Sequence, residues 1–254
     1  VVLFSLFLFR LFEFQETGGL ADLVSARGAV ADLSVATSLN PSLFSSLKTG
    51  GFNFTFTHPY SLPELNYMRV CLLLKKWDLG FSSAFLVRAS YTEETFSMGK
   101  GFAFSPSLSL GTLLSLYRFA IKDYDSDFLF SLSPSVSFTS NRFIISLLFL
   151  HTNQPKTLYG ERLPFTLIFG VMFSFSPGTN FYFDYEREKE ETFRGGLKMA
   201  HKAFYWGIGF ETNPIGLTSG FGISLKVFDL SYGIRWHSQL RESHIINFGL
   251  KSSP

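Results

Sequence analysis

Asn180-Phe181-Tyr182-Phe183-Asp184-Tyr185, Phe204-Tyr205-Trp206-Gly207-Ile208-Gly209-Phe210 and Phe228-Asp229-Leu230-Ser231-Tyr232-Gly233-Ile234-Arg235-Trp236 decide the fold. In each, large apolar side chains recur at every second position, with small, polar or charged residues between them. Phe193–Lys198, Phe221–Lys226 and His244–Leu250 repeat the pattern. A period of two is the mark of a strand with two unlike faces. A buried helix does not explain so many such segments in one stretch.

Working outward, the rest of the chain continues the pattern. Fourteen candidate strands fall at roughly 50–58, 64–75, 79–90, 95–105, 107–118, 127–138, 143–151, 162–175, 180–186, 192–199, 203–211, 218–226, 228–236 and 243–251. Several have the nine to eleven residues that a tilted membrane strand needs, and an even count suits a single-chain bacterial barrel. The 254 residues include 32 Phe and are 18% aromatic, a heavy load for a soluble protein. No internal run approaches the roughly 20 apolar residues of a spanning helix; Phe143–Leu150 has only eight. These features predict an all-β, transmembrane antiparallel β-barrel of fourteen strands. A large soluble β-sandwich is the alternative.

The connections speak for the barrel. Ser105-Pro106, Thr139–Asn141, Ser176–Thr179 and Val227 are short and uncharged; Lys75–Asp78 and Ala200–Lys202 are short and basic. They alternate with the longer or more charged His58–Pro63, Ser90–Glu94, Phe119–Asp127, His151–Leu163, Glu186–Glu191, Glu211–Leu217 and His237–Glu242. Short periplasmic turns and longer external loops produce this asymmetry, which places both ends of the barrel domain, residues 50–251, in the periplasm.

A charge facing lipid at mid-membrane costs about 2–4 kcal/mol, so the polar row of each strand is expected to face the lumen. That row contains Arg88, Asp184, Arg194, Lys198, Asp229, Arg235 and Asn247. Phe228, Leu230, Tyr232, Ile234 and Trp236 then face lipid, as do Leu79, Phe81, Phe85 and Val87. Tyr91, Tyr117, Tyr185, Trp206 and Trp236 are candidates for the interfacial aromatic girdles. Inward Gly and Ser leave room for water or for a plug.

Residues 1–14, VVLFSLFLFRLFEF, have the apolar density of a signal-peptide core and are expected to be its remnant; a buried first strand is the alternative. Residues 15–49 differ from all that follows. Leu20–Asp32 is rich in Ala, Asn40-Pro41-Ser42 is a turn signal, and Ser42–Leu47 suits a short helix. Such a segment before a barrel fits a plug in the lumen, a lid on the periplasmic mouth, or an export linker.

Chemistry is sparse. With 22 Lys+Arg against 20 Asp+Glu, nucleic-acid binding has no support. There is no Cys-x-x-Cys, no His-Glu-x-x-His and no phosphate loop. The five His show no metal-ligand spacing, and the lone Cys71 sits in an apolar run. Asp123, Asp125 and Asp127 alternate in one loop, which suits weak divalent binding or plain solvation. Glu186–Glu191 is expected to be a mixed-charge external loop. His237-Ser238 near Glu242 shows no base–nucleophile–orienter arrangement. No catalytic residue, metal or cofactor is indicated.

Ala26-Arg27-Gly28-Ala29-Val30-Ala31 and Ser38-Leu39-Asn40-Pro41-Ser42 resemble the opening of the PorV/PorQ-type outer-membrane proteins, within the broader FadL-like fatty-acid-transporter barrels. Phe193–Leu197, Thr218–Ile223, Phe228–Gly233 and Ser243–Ile246 are similar to the same group. Lys251-Ser252-Ser253-Pro254 departs from the usual aromatic last residue. The resemblance implies a location in the bacterial outer membrane and a fourteen-stranded barrel with a plug motif at Arg27, Gly28, Asn40 and Pro41. It implies one of two roles. One is an accessory of type IX secretion or surface attachment, with secretion-system proteins or exported cargo as partners. The other is a transport channel for a hydrophobic small molecule. A structural barrel without a solute is a third possibility. Outer-membrane lipid is a partner in every case.

Overall fold

The computed structural model describes residues 19–62, 64–88, 91–122, 126–158, 160, 162–238 and 240–252. The expected signal remnant at 1–14, the side chain of Arg88, and Asp123 and Asp125 lie outside the described residues. Fourteen strands form one closed antiparallel barrel: β1 Gly51–His58, β2 Asn66–Leu74, β3 Leu79–Arg88, β4 Tyr91–Ala103, β5 Leu108–Ile121, β6 Ser126–Thr139, β7 Phe143–Leu150, β8 Thr166–Ser176, β9 Thr179–Arg187, β10 Glu191–His201, β11 Phe204–Thr212, β12 Ile215–Ser224, β13 Phe228–His237 and β14 Ser243–Lys251. Each strand pairs with its sequence neighbours. β1 closes on β14 from Gly51↔Lys251 to His58↔His244, so the sheet has no terminal edge strand. Among the described residues no helix is long and apolar enough to cross a membrane.

The alternation in sequence becomes two environments. Phe128, Phe130, Trp206, Ile208, Phe221, Leu230 and Trp236 are exposed on the outer wall. Ser131, Ser133, Asp184, Thr218, Ser231 and Asn247 are buried on the inner one. The lumen is filled by the chain before β1. Helix α1, Gly19–Val24, and helix α2, Leu33–Ser38, are followed by a 3-10 turn at Pro41–Ser46. Asp32 caps α2 by accepting from Ser34 N at 2.9 Å. Leu23, Val24, Val35, Leu43 and Phe44 of this plug are completely hidden or nearly so. They form the main apolar core with Leu73, Ile144, Tyr182 and Tyr205 of the wall. Cys71 is a buried packing residue on the inner wall.

The structure corrects three expectations. Strand pairing runs on through charged residues, because backbone hydrogen bonds do not depend on side-chain polarity. Glu93 and Glu94 pair with Leu86 and Phe85 inside the β3–β4 ladder, and β11 and β12 are joined by only Asn213 and Pro214. The strict alternation of short and long connections is thereby flattened, and 151–165 stands out as the long loop. Glu186 is a residue of β9, with its side chain half-buried in the lumen, and not part of an external loop. Tyr117 and Tyr91 face inward. Tyr117 packs with Phe119, Leu129 and Leu163, and Tyr91 lies against that cluster. Neither joins a girdle, whereas Trp206 and Trp236 are exposed on the outer wall.

Candidate functional site

Two features of the wall bear on what the barrel does: the seat of the plug, and a seam in the ladder. The seat is built at Arg27 and Gly28. Their backbone N–H groups both donate to Asp184 Oδ2, at 2.5 and 2.8 Å. The carbonyl of Gly28 accepts from Asn40 Nδ2 at 2.7 Å and from Ser146 Oγ of β7 at 2.6 Å. The chain lies so close to β8 that a Cβ on Gly28 would stand 2.9 Å from Gly170 Cα. A Cβ on Gly170 would stand 2.6 Å from Ala29 N. Two glycines are needed because two backbones touch.

Around this contact lies an ionic cluster. Glu186 Oε2 meets Arg194 Nη1 at 2.6 Å and Arg27 Nη2 at 3.2 Å, and Arg194 Nε lies 3.5 Å from Glu211 Oε2. Burial and the neighbouring Arg194 hold the Arg27 guanidinium below its ordinary pKa, while Glu186 and Glu211 oppose that shift. Further along the plug, Arg235 Nη2 reaches Asp22 Oδ1 at 3.5 Å, and Arg69 Nη1 donates to Ser38 Oγ at 2.8 Å. Burial pushes the Asp32 carboxyl up, against the hydrogen bonds from Ser34. At the other end of the plug Pro41 fits over Gly99, where a Cβ would lie 2.8 Å from Pro41 Cγ. Ser137 Oγ donates to Ser42 O at 2.9 Å.

The polar residues singled out by sequence thus fall in several places. Asp184 and Arg194 join Arg27 and Gly28. Asn40 and Pro41 hold the next bend of the plug. Arg235 stands apart with Asp22. Asn247 accepts from Thr55 Oγ1 at 3.0 Å. Lys198 lies over the Tyr205 ring, 4.8 Å from its centroid, and the Tyr205 hydroxyl donates to Asp229 at 2.6 Å. Sequence reasoning missed Glu186 and Glu211. The parity of Glu186 with Asp184 was the available signal.

The seam was also missed. β6 pairs with β5 along nearly its whole length but with β7 only from Ser135↔Leu148 to Thr139↔Ile144. Pro134 sits where that ladder stops. Thr139 N donates towards β5, to Ser107 O, and Leu132 N points the opposite way, to Asn153 Oδ1. Even-numbered peptide groups of β6 therefore face β7, and Pro134 removes a donor from that edge. Beyond it the edge is covered by the start of the 151–165 loop. Thr152 N donates to Leu132 O at 3.0 Å. The Asn153 side chain stands in for a strand peptide, accepting from Leu132 N at 3.1 Å and donating to Phe130 O at 2.8 Å. His151, in a left-handed conformation (φ 54°), bonds Ser131 Oγ through Nδ1 at 2.8 Å. Burial pushes its pKa down to about 4.

A closed fourteen-stranded antiparallel barrel carrying its own N-terminal segment in the lumen is the architecture of a transmembrane β-barrel. The chain matches no protein-family profile and no curated protein. In fold it is similar to the Ralstonia pickettii toluene transporter TbuX, with a TM-score of 0.72 at 8% identity over 96% of this chain and 100% of that one. The P. putida toluene transporter TodX gives 0.67 at 8% identity, over 93% and 99% of the two chains. The monoaromatic hydrocarbon channel CymD gives 0.66 at 9% identity, over 96% and 99%. At such identities the likeness is one of fold.

Proposed function

We propose that the protein is a non-enzymatic channel of the bacterial outer membrane that passes small hydrophobic compounds of the toluene class. The observation that carries this reading is the β6–β7 seam. A plugged lumen offers no straight path, while an interrupted ladder offers a sideways one, closed by one backbone bond and a few side-chain bonds worth only about 1 kcal/mol each. On the inner side of this region Tyr117, Phe119, Leu129 and Leu163 pack as a buried apolar cluster, whose chemistry suits an aromatic solute. The solved hydrocarbon channels named above share the fold.

The test is uptake of radiolabelled toluene by cells whose outer membrane carries the barrel. Uptake should rise several-fold over cells lacking it, rise again in Asn153→Ala, and fall in Pro134→Thr, where the missing donor is restored. Unchanged uptake with a correctly folded barrel would sink the proposal. The secretion-accessory role implied by the PorV/PorQ resemblance rests on the sequence motifs. An exported protein co-purifying in stoichiometric amount, without any effect on toluene uptake, would put that role in its place.

A further inference from the structure

We propose that the outer wall of β2–β6 carries a docking groove for an anionic membrane lipid, with one acyl chain in the groove and the phosphate on Arg118. The inference rests on the barrel being embedded in a membrane, as proposed above, and does not depend on what it transports.

The strand registers place three rows of outward side chains one above another. The middle row runs Val70, Ser83, Phe96, Leu116, Phe130. The row towards the termini of the barrel runs Leu72, Phe81, Met98, Leu114, Leu132. Ser83 is the one small, polar residue among them, and it leaves a groove of about 480 Å³ bordered by Leu72, Phe81, Phe96, Met98, Leu114 and Phe130. That is within the ~300–1,000 Å³ of small-molecule sites. The Ser83 hydroxyl is hidden and has no hydrogen-bond partner, which costs free energy in an apolar setting. It faces away from the plug, so seating the plug does not explain it. What the serine provides is the hollow.

The third row supplies a head-group site. It runs Met68, Phe85, Glu94, Arg118, Phe128. Arg118 gives only Nη1 to Glu94, at 3.1 Å to both carboxylate oxygens, and among the described residues Nε and Nη2 have no hydrogen-bond partner. Its side chain is 38% exposed and its guanidinium lies over the Phe128 ring, 5.8 Å from the centroid. Lys122, at the end of the same strand, is exposed beyond it. Among the described residues Glu94 is the one opposing charge at this level of the outer wall; Glu93 and Asp127 face the lumen. An outward ion pair is tolerated near the interface and costly at the midplane, so this row marks where hydrocarbon gives way to head groups. An apolar groove with a guanidinium one row beyond it matches an acyl chain ending on a phosphate.

The test is lipid binding to the detergent-solubilised barrel by native mass spectrometry, comparing phosphatidic acid with zwitterionic phosphatidylcholine of the same chains. Phosphatidic acid should bind about fivefold more tightly, the worth of one arginine near a membrane surface. Arg118→Gln should bring the ratio near one, Glu94→Gln should widen it, and Ser83→Phe should weaken both lipids alike. Equal binding of the two lipids, or a ratio that survives Arg118→Gln, would overturn the inference. So would displacement of both lipids by toluene with the ratio at one, which would assign the groove to the solute. Heat-modified gel mobility verifies that each variant is folded. A barrel that fails to float with vesicles removes the membrane reading itself, whereas one that floats but shows no head-group preference removes only the lipid site.

Discussion

The wall from β8 to β12 and the wall from β5 to β7 hold the same plug by different means. On the first, the ladder from β9 to β12 is unbroken, Gly170 of β8 lies against the Gly28–Ala29 backbone, and Asp184, Glu186, Arg194 and Glu211 converge on Arg27 and Gly28. On the second, Ser135 and Ser137 hold the 3-10 turn near the termini, but further along the ladder stops and Asn153 bridges the gap. The contrast separates anchoring from gating. Close backbone packing and ion pairs fix the plug on one side, so the β6–β7 seam can open without releasing it.

The largest effect should come from breaking the anchor at its closest contact. Gly170→Leu puts atoms where the Gly28–Ala29 backbone lies. Overpacking of this kind costs about 3 kcal/mol, enough to unseat the plug from a barrel that stays folded. Single-channel conductance should rise from closed to open, and a closed lumen would show that the contact is dispensable. Next, Glu186→Ala leaves Arg27 and Arg194 with fewer counter-charges in the lumen, at about 3 kcal/mol or somewhat less since Glu211 remains. The expected readout is faster proteolysis or exchange at residues 19–31 with the β6–β7 seam unaffected; equal loosening of the seam would erase the contrast.

The seam should respond to pH through His151. His151 is held near pKa 4 in the folded loop, against about 6.5 when unfolded. The unfolded segment therefore binds the extra proton, and the contribution of His151 is complete above pH 6.5 and lost as pH falls towards 4. By pH 5 the loss is about 2 kcal/mol. Cleavage after Lys156 or Arg162 should accelerate between pH 7 and 5, and His151→Gln should flatten that dependence. The smallest effects belong to the seam's own bonds. Asn153→Ala should destabilise the loop by about 1 kcal/mol and Pro134→Thr should stabilise it by a similar amount, both read as hydrogen-exchange protection at Phe130 and Leu132. Equal shifts at β10–β11 would show that the two walls are not independent.

Sequence alone determined the strand number and most of the inward and outward faces, because a period of two is a local property that each strand writes for itself. Asp184, Arg194 and Asn247 were legible as inward residues for that reason. Tyr91 and Tyr117 were misplaced because aromatic character at a strand end was weighed above parity, which already put Tyr117 on the inner face. The tertiary structure alone decided which inward residues meet. Gly28 touches Gly170 and Asp184, and Ser42 touches Ser137, only because the plug folds back into a closed barrel whose register sets neighbours from distant parts of the chain. It also decided the seam. Pro134 was visible in the sequence, but whether its missing N–H faced β5 or β7 depended on hydrogen-bond direction, which the sheet sets and side-chain patterning does not encode.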